Sequence, residues 1–183
     1  LRTDLSKYDN SWYNPGSKLK RVLWYYISCF FFELGWNVSS GLKVFLLRQF
    51  GAKIGTGVVI KPRVTIKYPW KLQIGNHCWI GESVWIDNLD KVTIEDHVCV
   101  SQGALLLCGN HNYKTTSFDL FTAPIHLKEG SWVGAKASVA PGVTLESHAV
   151  LSLGAVATKN LDPYSIYSGN PAVKVKSRQI KMP

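Results

Sequence analysis

Residues 54–106 read IGTGVVIKPRVTIKYPWKLQIGNHCWIGESVWIDNLDKVTIEDHVCVSQGALL, and an aliphatic residue returns every six positions. The series is Ile54, Ile60, Ile66, then Ile74, Ile80, Ile86, then Ile94, Val100, Leu106. After a break it resumes at Val133, Val139, Leu145 and Leu151. A two-residue slip follows each of the first groups of three, so the larger repeat is a coil of three short segments. An amphipathic helix would need spacings of three and four. A six-residue period instead predicts three short strands per coil, each giving one aliphatic to a stacked interior column. The residue after the aliphatic is mostly small or acidic (Gly55, Gly75, Gly81, Gly134). The fourth residue after it is mostly small or aliphatic (Val58, Cys78, Val84, Ala104, Ala137). Small residues relieve crowding where a backbone bends, and glycine adopts turn conformations that other residues resist.

The slips, Tyr68-Pro69-Trp70-Lys71 and Asn88-Leu89-Asp90-Lys91, and a long loop inserted at residues 107–132 all fall in the third unit of a coil. Stacked coils place all three along one edge of a prism, and loops gathered on a rigid scaffold are where function concentrates.

Residues 1–50 lie outside the period and form an N-terminal aromatic and basic segment; residues 51–183 form the solenoid domain. Val22 to Leu34 (VLWYYISCFFFEL) is nearly all apolar, with Lys18, Lys20 and Arg21 before it and Lys43 and Arg48 after it. At 1.5 Å per residue it falls well short of the roughly 30 Å hydrocarbon core, so it is not expected to span a bilayer. Two roles fit it. One is a helix packed on the solenoid end or on another subunit. The other is peripheral membrane contact through residues 18–48, with Trp24, Phe30 and Phe31 at the lipid surface.

The 183 residues suffice for one domain with a core, and 46% hydrophobic with 18% charged residues excludes a disordered or collagen-like chain. Four cysteines without a C-x-x-C pair argue against a disulfide scaffold or zinc ribbon, and point to a reducing compartment. No basic leader with a small-residue cleavage site opens the chain, so no export signal is expected. The net charge of +9 is concentrated at the two ends. The aromatics sit at repeat corners and in the apolar segment rather than on a basic stacking platform, which argues against a nucleic-acid partner.

Five histidines are present. His77, His97 and His148 each stand three places after a column aliphatic, where outer turns belong, and His77 and His97, one coil apart, should stack. His111 differs because it falls in the inserted loop, within Gly109-Asn110-His111-Asn112-Tyr113. Imidazole, with an ordinary pKa of about 6.5, is largely neutral near pH 7 and suits general-base work.

The chain resembles the hexapeptide-repeat acyltransferases, above all the colanic-acid-type exopolysaccharide acetyltransferases within the galactoside, serine and xenobiotic acetyltransferase group. The resemblance rests on Phe50-Gly51-Ala52-Lys53-Ile54-Gly55, Tyr68-Pro69-Trp70, Val100-Ser101-Gln102-Gly103, Gly109 to Tyr113 and Gly169-Asn170-Pro171-Ala172 in that order around the repeat. It implies an all-β left-handed parallel β-helix, an exception to the usual right-handed crossover. It also implies acetyl-CoA as acyl donor, a sugar hydroxyl as acceptor in bacterial exopolysaccharide assembly, and a homotrimer with sites between subunits. No metal is expected, and the location is cytoplasmic, at most peripheral on the inner membrane face.

By the same resemblance His111 is the catalytic base. Trp132, Gly134, Ala135, Leu153, Thr158, Lys159 and Lys176 serve the cofactor, and Glu82, Trp85 and Asp119 are substrate-side candidates. Asn112 stands where many relatives carry Asp, so Asp119 or Glu82 is the acid considered for orienting His111. Ala135 replaces the usual serine, Leu153 a small residue, and Val173 a cation. Two rival chemistries remain open at this point. One is a covalent acetyl-cysteine at Cys108; the other is a γ-class carbonic-anhydrase-like zinc site using His97, His111 and His126. A non-catalytic membrane-surface solenoid is the third alternative.

Overall fold

The computed structural model describes residues 2–36 and 38–182; Leu1, Asn37 and Pro183, which fall within the ranges given above for the N-terminal segment and the C-terminal tail, lie outside the described residues. The six-residue period folds into short parallel strands stacked in three faces. The first face holds Lys53–Ile54, Leu72–Ile74, Val92–Ile94, Ile125–Leu127 and Thr144–Leu145. The second holds Val59–Ile60, Trp79–Ile80, Cys99–Val100, Trp132–Val133, Val150–Leu151 and Ser165–Ser168. The third holds Thr65–Ile66, Trp85–Asp87, Leu105–Leu107, Ser138–Val139 and Val156–Ala157.

Register follows the aliphatic columns: Ile54 pairs with Ile74, Ile74 with Ile94, Ile94 with Leu127 and Leu127 with Leu145. These side chains are buried inside the prism, each contributing about 1.5–3 kcal/mol of transfer free energy. Corner residues turn through left-handed backbone, at His77, His97 and His148 between the first and second faces, and at Arg63, Ser83 and Lys136 between the second and third. The expected histidine stack is present, with the His77 and His97 rings 5.4 Å apart and 12° from parallel. Gly134 is required by close approach, since a Cβ there would lie 2.7 Å from the Leu151 carbonyl oxygen and the Leu153 nitrogen.

The inserted loop is shorter than the 107–132 expected. Leu107 ends a third-face strand, and Ile125–Leu127 already belongs to the first face. Leu127 lies six residues before Val133, so the period resumes one unit earlier than the valines suggest. The insertion is itself ordered, its strands Gly109–His111 and Leu120–Thr122 pairing antiparallel.

A stacked solenoid exposes unpaired backbone groups at its open end, and buried or apolar surroundings make these costly. Two helices close the first coil: α1 (Lys18–Ser28), continued by a π-helical turn at Cys29–Glu33, and α2 (Ser40–Gln49). Ser17 and Ser39 cap their first turns, accepting from the Lys20 and Leu42 amides. Each face of the open coil receives a side-chain donor. Arg48 donates to the Ile54 and Gly55 carbonyls at 2.7 and 2.9 Å. Ser40 Oγ accepts from Ile60 N–H at 3.0 Å, and the Lys43 ammonium donates to the Lys61 carbonyl at 2.9 Å. Trp24 Nε1 donates to the Ile66 carbonyl at 2.8 Å.

Trp24 is 3% exposed, so it belongs to this cap rather than to a lipid-facing surface. The outward residues of α1 and its π-helical turn are Leu19, Val22, Leu23, Tyr26 and Phe30, at helical spacing, and Leu42 and Phe45 are exposed on α2. Among the described residues no helix is long and apolar enough to cross a membrane.

Candidate active site

The two slips and the insertion share the third-to-first corner, as the repeat requires, and polar ties lock them together. The fully buried Asn88 accepts from Tyr68 N–H at 2.9 Å and donates back to the Tyr68 carbonyl at 2.6 Å. Thr122 Oγ1 donates to Asp90 at 3.3 Å, fastening the insertion to the slip below it. Gly109 packs against the Leu89 side chain where a Cβ would collide.

His111 closes the first strand of the insertion, paired opposite Leu120. Its Nδ1 lies 3.0 Å from the Phe118 carbonyl oxygen. A carbonyl only accepts, so Nδ1 carries the hydrogen and, in the neutral ring, the lone pair is on Nε2. The Phe118 ring stacks on the imidazole at 4.6 Å and 6°, fixing its plane. The group that orients this imidazole is therefore a backbone carbonyl, and neither acid considered from the sequence does so. Asp119 accepts from Ser117 Oγ at 2.6 Å and from Asp9 N–H at 3.0 Å, and these hydrogen bonds hold its carboxyl below the ordinary carboxylate value. Glu82 lies on the second-to-third corner, paired with Arg63 at 3.3 Å.

An unanticipated element reaches this edge. Residues 2–17 run along it as an arm: Asp4 N–H donates to the Thr116 carbonyl at 2.8 Å, and the Tyr8 ring lies 5.8 Å from the His111 ring. Further along, Tyr13 Oη donates to the Leu89 carbonyl at 2.7 Å with the Lys71 ammonium 4.5 Å from its ring, and Gly16 abuts Trp70. Backbone ties of this kind leave no signature in residue pattern.

The remaining candidates fall in two groups. Thr158 and Lys159 are exposed and follow the last third-face strand, so they share the His111 edge two coils further up. Glu82, Gly134, Ala135 and Leu153 line the second-to-third corner, linked by Gly103 N–H to the Glu82 carbonyl at 2.8 Å, Lys136 N–H to Gln102 at 2.9 Å and Gly154 N–H to Ala135 at 2.9 Å. Leu153 is 73% exposed there. Trp132 faces outward on the second face, its Nε1 donating to Ser101 Oγ at 2.8 Å. Trp85 faces outward on the third, beside a cleft of about 660 Å³ under α1 that also holds Arg21, Lys67 and Asp87. Lys176 lies on the closing strand Val173–Ser177, near Arg178 and Lys181. One chain thus sets the His111 edge and the Ala135–Leu153 edge on opposite borders of the third face.

Cys108 is fully buried, and desolvation, with Asp90 and Asp87 nearby, pushes its thiol up to about 12. A thiol so placed is neither ionised nor accessible. His126 is engaged with Glu95 at 2.6 Å and His97 with His77. Among the described residues no three potential ligands converge on one point.

The chain is 36% identical over 166 residues, 91% of each protein, to WcaF of Escherichia coli (strain K12), which carries the name of a colanic acid biosynthesis acetyltransferase. It is 25% identical over 129 residues, 69% of this chain and 64% of the relative, to the galactoside O-acetyltransferase of the same strain. Among solved structures, a hexapeptide-repeat acetyltransferase of Vibrio cholerae complexed with acetyl-CoA superposes with a TM-score of 0.79 over 89% of both chains at 18% identity. A galactoside acetyltransferase in complex with coenzyme A gives 0.78 over 88% of this chain and 82% of that one at 21% identity. The shared fold is the left-handed parallel β-helix. No family model matches the chain.

Proposed function

Because the chain belongs to the hexapeptide-repeat acetyltransferases, the family of its colanic acid biosynthesis relative, we propose that it moves an acetyl group from acetyl-CoA to a saccharide hydroxyl, with His111 as general base. The observation carrying this reading is the imidazole held at Nδ1 by the Phe118 carbonyl, with Nε2 left to accept a proton. In the reaction Nε2 takes the hydroxyl proton as the oxygen attacks the thioester carbon. The tetrahedral intermediate then collapses, the C–S bond breaks, and the CoA sulfur leaves with the proton returned from His111. While the ring is protonated, the Nδ1–H to Phe118 bond is charge-assisted and holds its orientation.

Donor binding falls to the upper coils. Gly134 admits close backbone approach, the Ala135 and Leu153 corner flanks the pantetheine arm, Trp132 borders it, and Thr158, Lys159 and Lys176 supply polar and cationic partners for phosphates. Glu82 and Trp85 lie on the acceptor side. Since His111 and the Ala135–Leu153 corner stand on opposite borders of one face, the complete site forms between subunits of a homotrimer. The exposed apolar residues of the two helices, Leu19 to Phe30 and Leu42 with Phe45, rest on an anionic membrane surface where lipid-linked saccharides of exopolysaccharide assembly are built.

The test is thiol release from acetyl-CoA over a panel of pyranosides, with the product identified by mass. Saccharide-dependent release with an added ester-linked acetyl group is expected. Release that no saccharide accelerates would overturn the acceptor assignment.

A further inference from the structure

Residues 2–16 contain no buried residue, so the arm adds nothing to the core. Its course is nevertheless fixed at both ends of the Tyr8 region: by the Thr116 carbonyl and the Asp119 carboxylate on the insertion, and by Leu89, Lys71 and Trp70 on the slips. Ordering a chain segment costs backbone entropy at every residue. Polar ties at the surface return little of that, so the placement is not explained by stability. What the arm does achieve is to set one aromatic ring beside the imidazole. The Tyr8 ring is tilted 50° to His111 at 5.8 Å and remains 37% exposed, while Phe118 stacks flat on the imidazole.

We propose that the arm is the acceptor-side wall of the active site, and that Tyr8 is a platform against which the apolar face of an acceptor pyranose packs. A pyranose presents C–H groups on its faces and hydroxyls around its rim. An aromatic face takes the former through its negative quadrupole and its apolar area, and few polar groups are then needed to orient the rest. With the sugar ring on Tyr8, a rim hydroxyl is directed toward His111 Nε2. The Asp9–Asp119 hydrogen bond is the clamp that keeps the platform in place, which gives Asp119 a role on the acceptor side without contact to the reacting atoms. This assignment rests on His111 as the base.

The test uses the full-length protein and the best-acetylated member of a panel of p-nitrophenyl glycosides, with acetyl-CoA hydrolysis in the absence of glycoside as the acceptor-independent readout. Tyr8→Ala is expected to raise the KM for the glycoside by about three- to tenfold, the range of a lost aromatic contact. The KM for acetyl-CoA stays within twofold. Tyr8→Phe restores the glycoside KM, and Asp119→Ala raises it in the same direction by releasing the arm. A Tyr8→Ala enzyme with unchanged glycoside KM overturns the proposal. So does one that loses hydrolysis as severely as transfer, because Tyr8 would then only hold the imidazole. His111→Ala separates the two readings: if it still transfers acetyl groups, the base assignment fails while the Tyr8 comparison still decides the platform. A wild type that acetylates no glycoside overturns the saccharide acceptor and, with it, the platform.

Discussion

At the scale of single residues, chemistry is decided by what each reactive group touches. Cys108 and His111 are three positions apart, and either could carry the acetyl transfer on residue type alone. Burial separates them: the thiol is pushed up to about 12, while His111 reaches solvent with one nitrogen pinned and the other open. Cys108→Ala is therefore expected to keep kcat within about threefold, with no acetylated enzyme in a rapid-quench mass spectrum; loss of turnover together with an acetyl adduct on wild type would reverse the assignment. Asp119 offers a pH test. The Ser117 hydroxyl and the Asp9 amide hold its folded value below the ordinary one of about 3.9, so its hold on the arm is complete above that pH and is lost as pH falls through the lower folded value. The Asp9 amide resonance is expected to stay at its neutral-pH position down to about pH 4 and to move only below it. His111 was legible as the candidate base because it sits in a motif within the insertion. The group orienting it was not, since a carbonyl belongs to every residue type and the sequence points instead to acids.

At the scale of elements, a solenoid's weak point is its open end, and the N-terminal helices answer it with one donor per face. Lys43 is the most demanding of these. Desolvation, then the neighbouring Lys61 charge, lowers its ammonium pKa, so the folded state binds its proton less readily than the unfolded chain. The resulting penalty persists below the folded value and disappears as pH rises through it toward the unfolded one near 10.4, which makes this residue's contribution to stability rise with pH. Trp24→Ala removes both a buried aromatic and the donor to Ile66, and is expected to cost about 3–5 kcal/mol, read as a fall in the urea midpoint. A cost under about 1 kcal/mol would mean that α1 does not seal the coil. The strands were readable because a period of six with alternating burial has no helical equivalent. The apolar stretch that forms most of α1 and its π-helical turn was readable, yet not its inner and outer faces, and α2 was read only through its cations Lys43 and Arg48. The Leu127 unit escaped notice because the insertion ends out of phase with the coil before it, and the arm because its ties are made by backbone groups and a few polar side chains.

At the scale of the whole molecule, the prism separates its tasks along its edges. Loops and His111 occupy the third-to-first edge, small residues and Leu153 the second-to-third edge, and the exposed apolar residues of the helices the capped end. Two of the proposals made for these arrangements involve a partner. Substituting Leu23, Phe30 and Phe45, all exposed, by Ser is expected to abolish sedimentation with anionic vesicles while leaving the urea midpoint unchanged; unaltered partitioning would remove the membrane role. Mixing His111→Ala subunits with Gly134→Trp subunits, each inactive alone, should recover part of the activity in mixed trimers, because one intact base can then face one intact corner; no recovery would place both halves of the site in one chain. The most direct measurement is the steady-state rate of His111→Ala against wild type at saturating acetyl-CoA, with donor affinity measured separately. The account predicts a loss of about 10²–10⁴ in kcat with donor binding unchanged, and a variant within tenfold of wild type would contradict it.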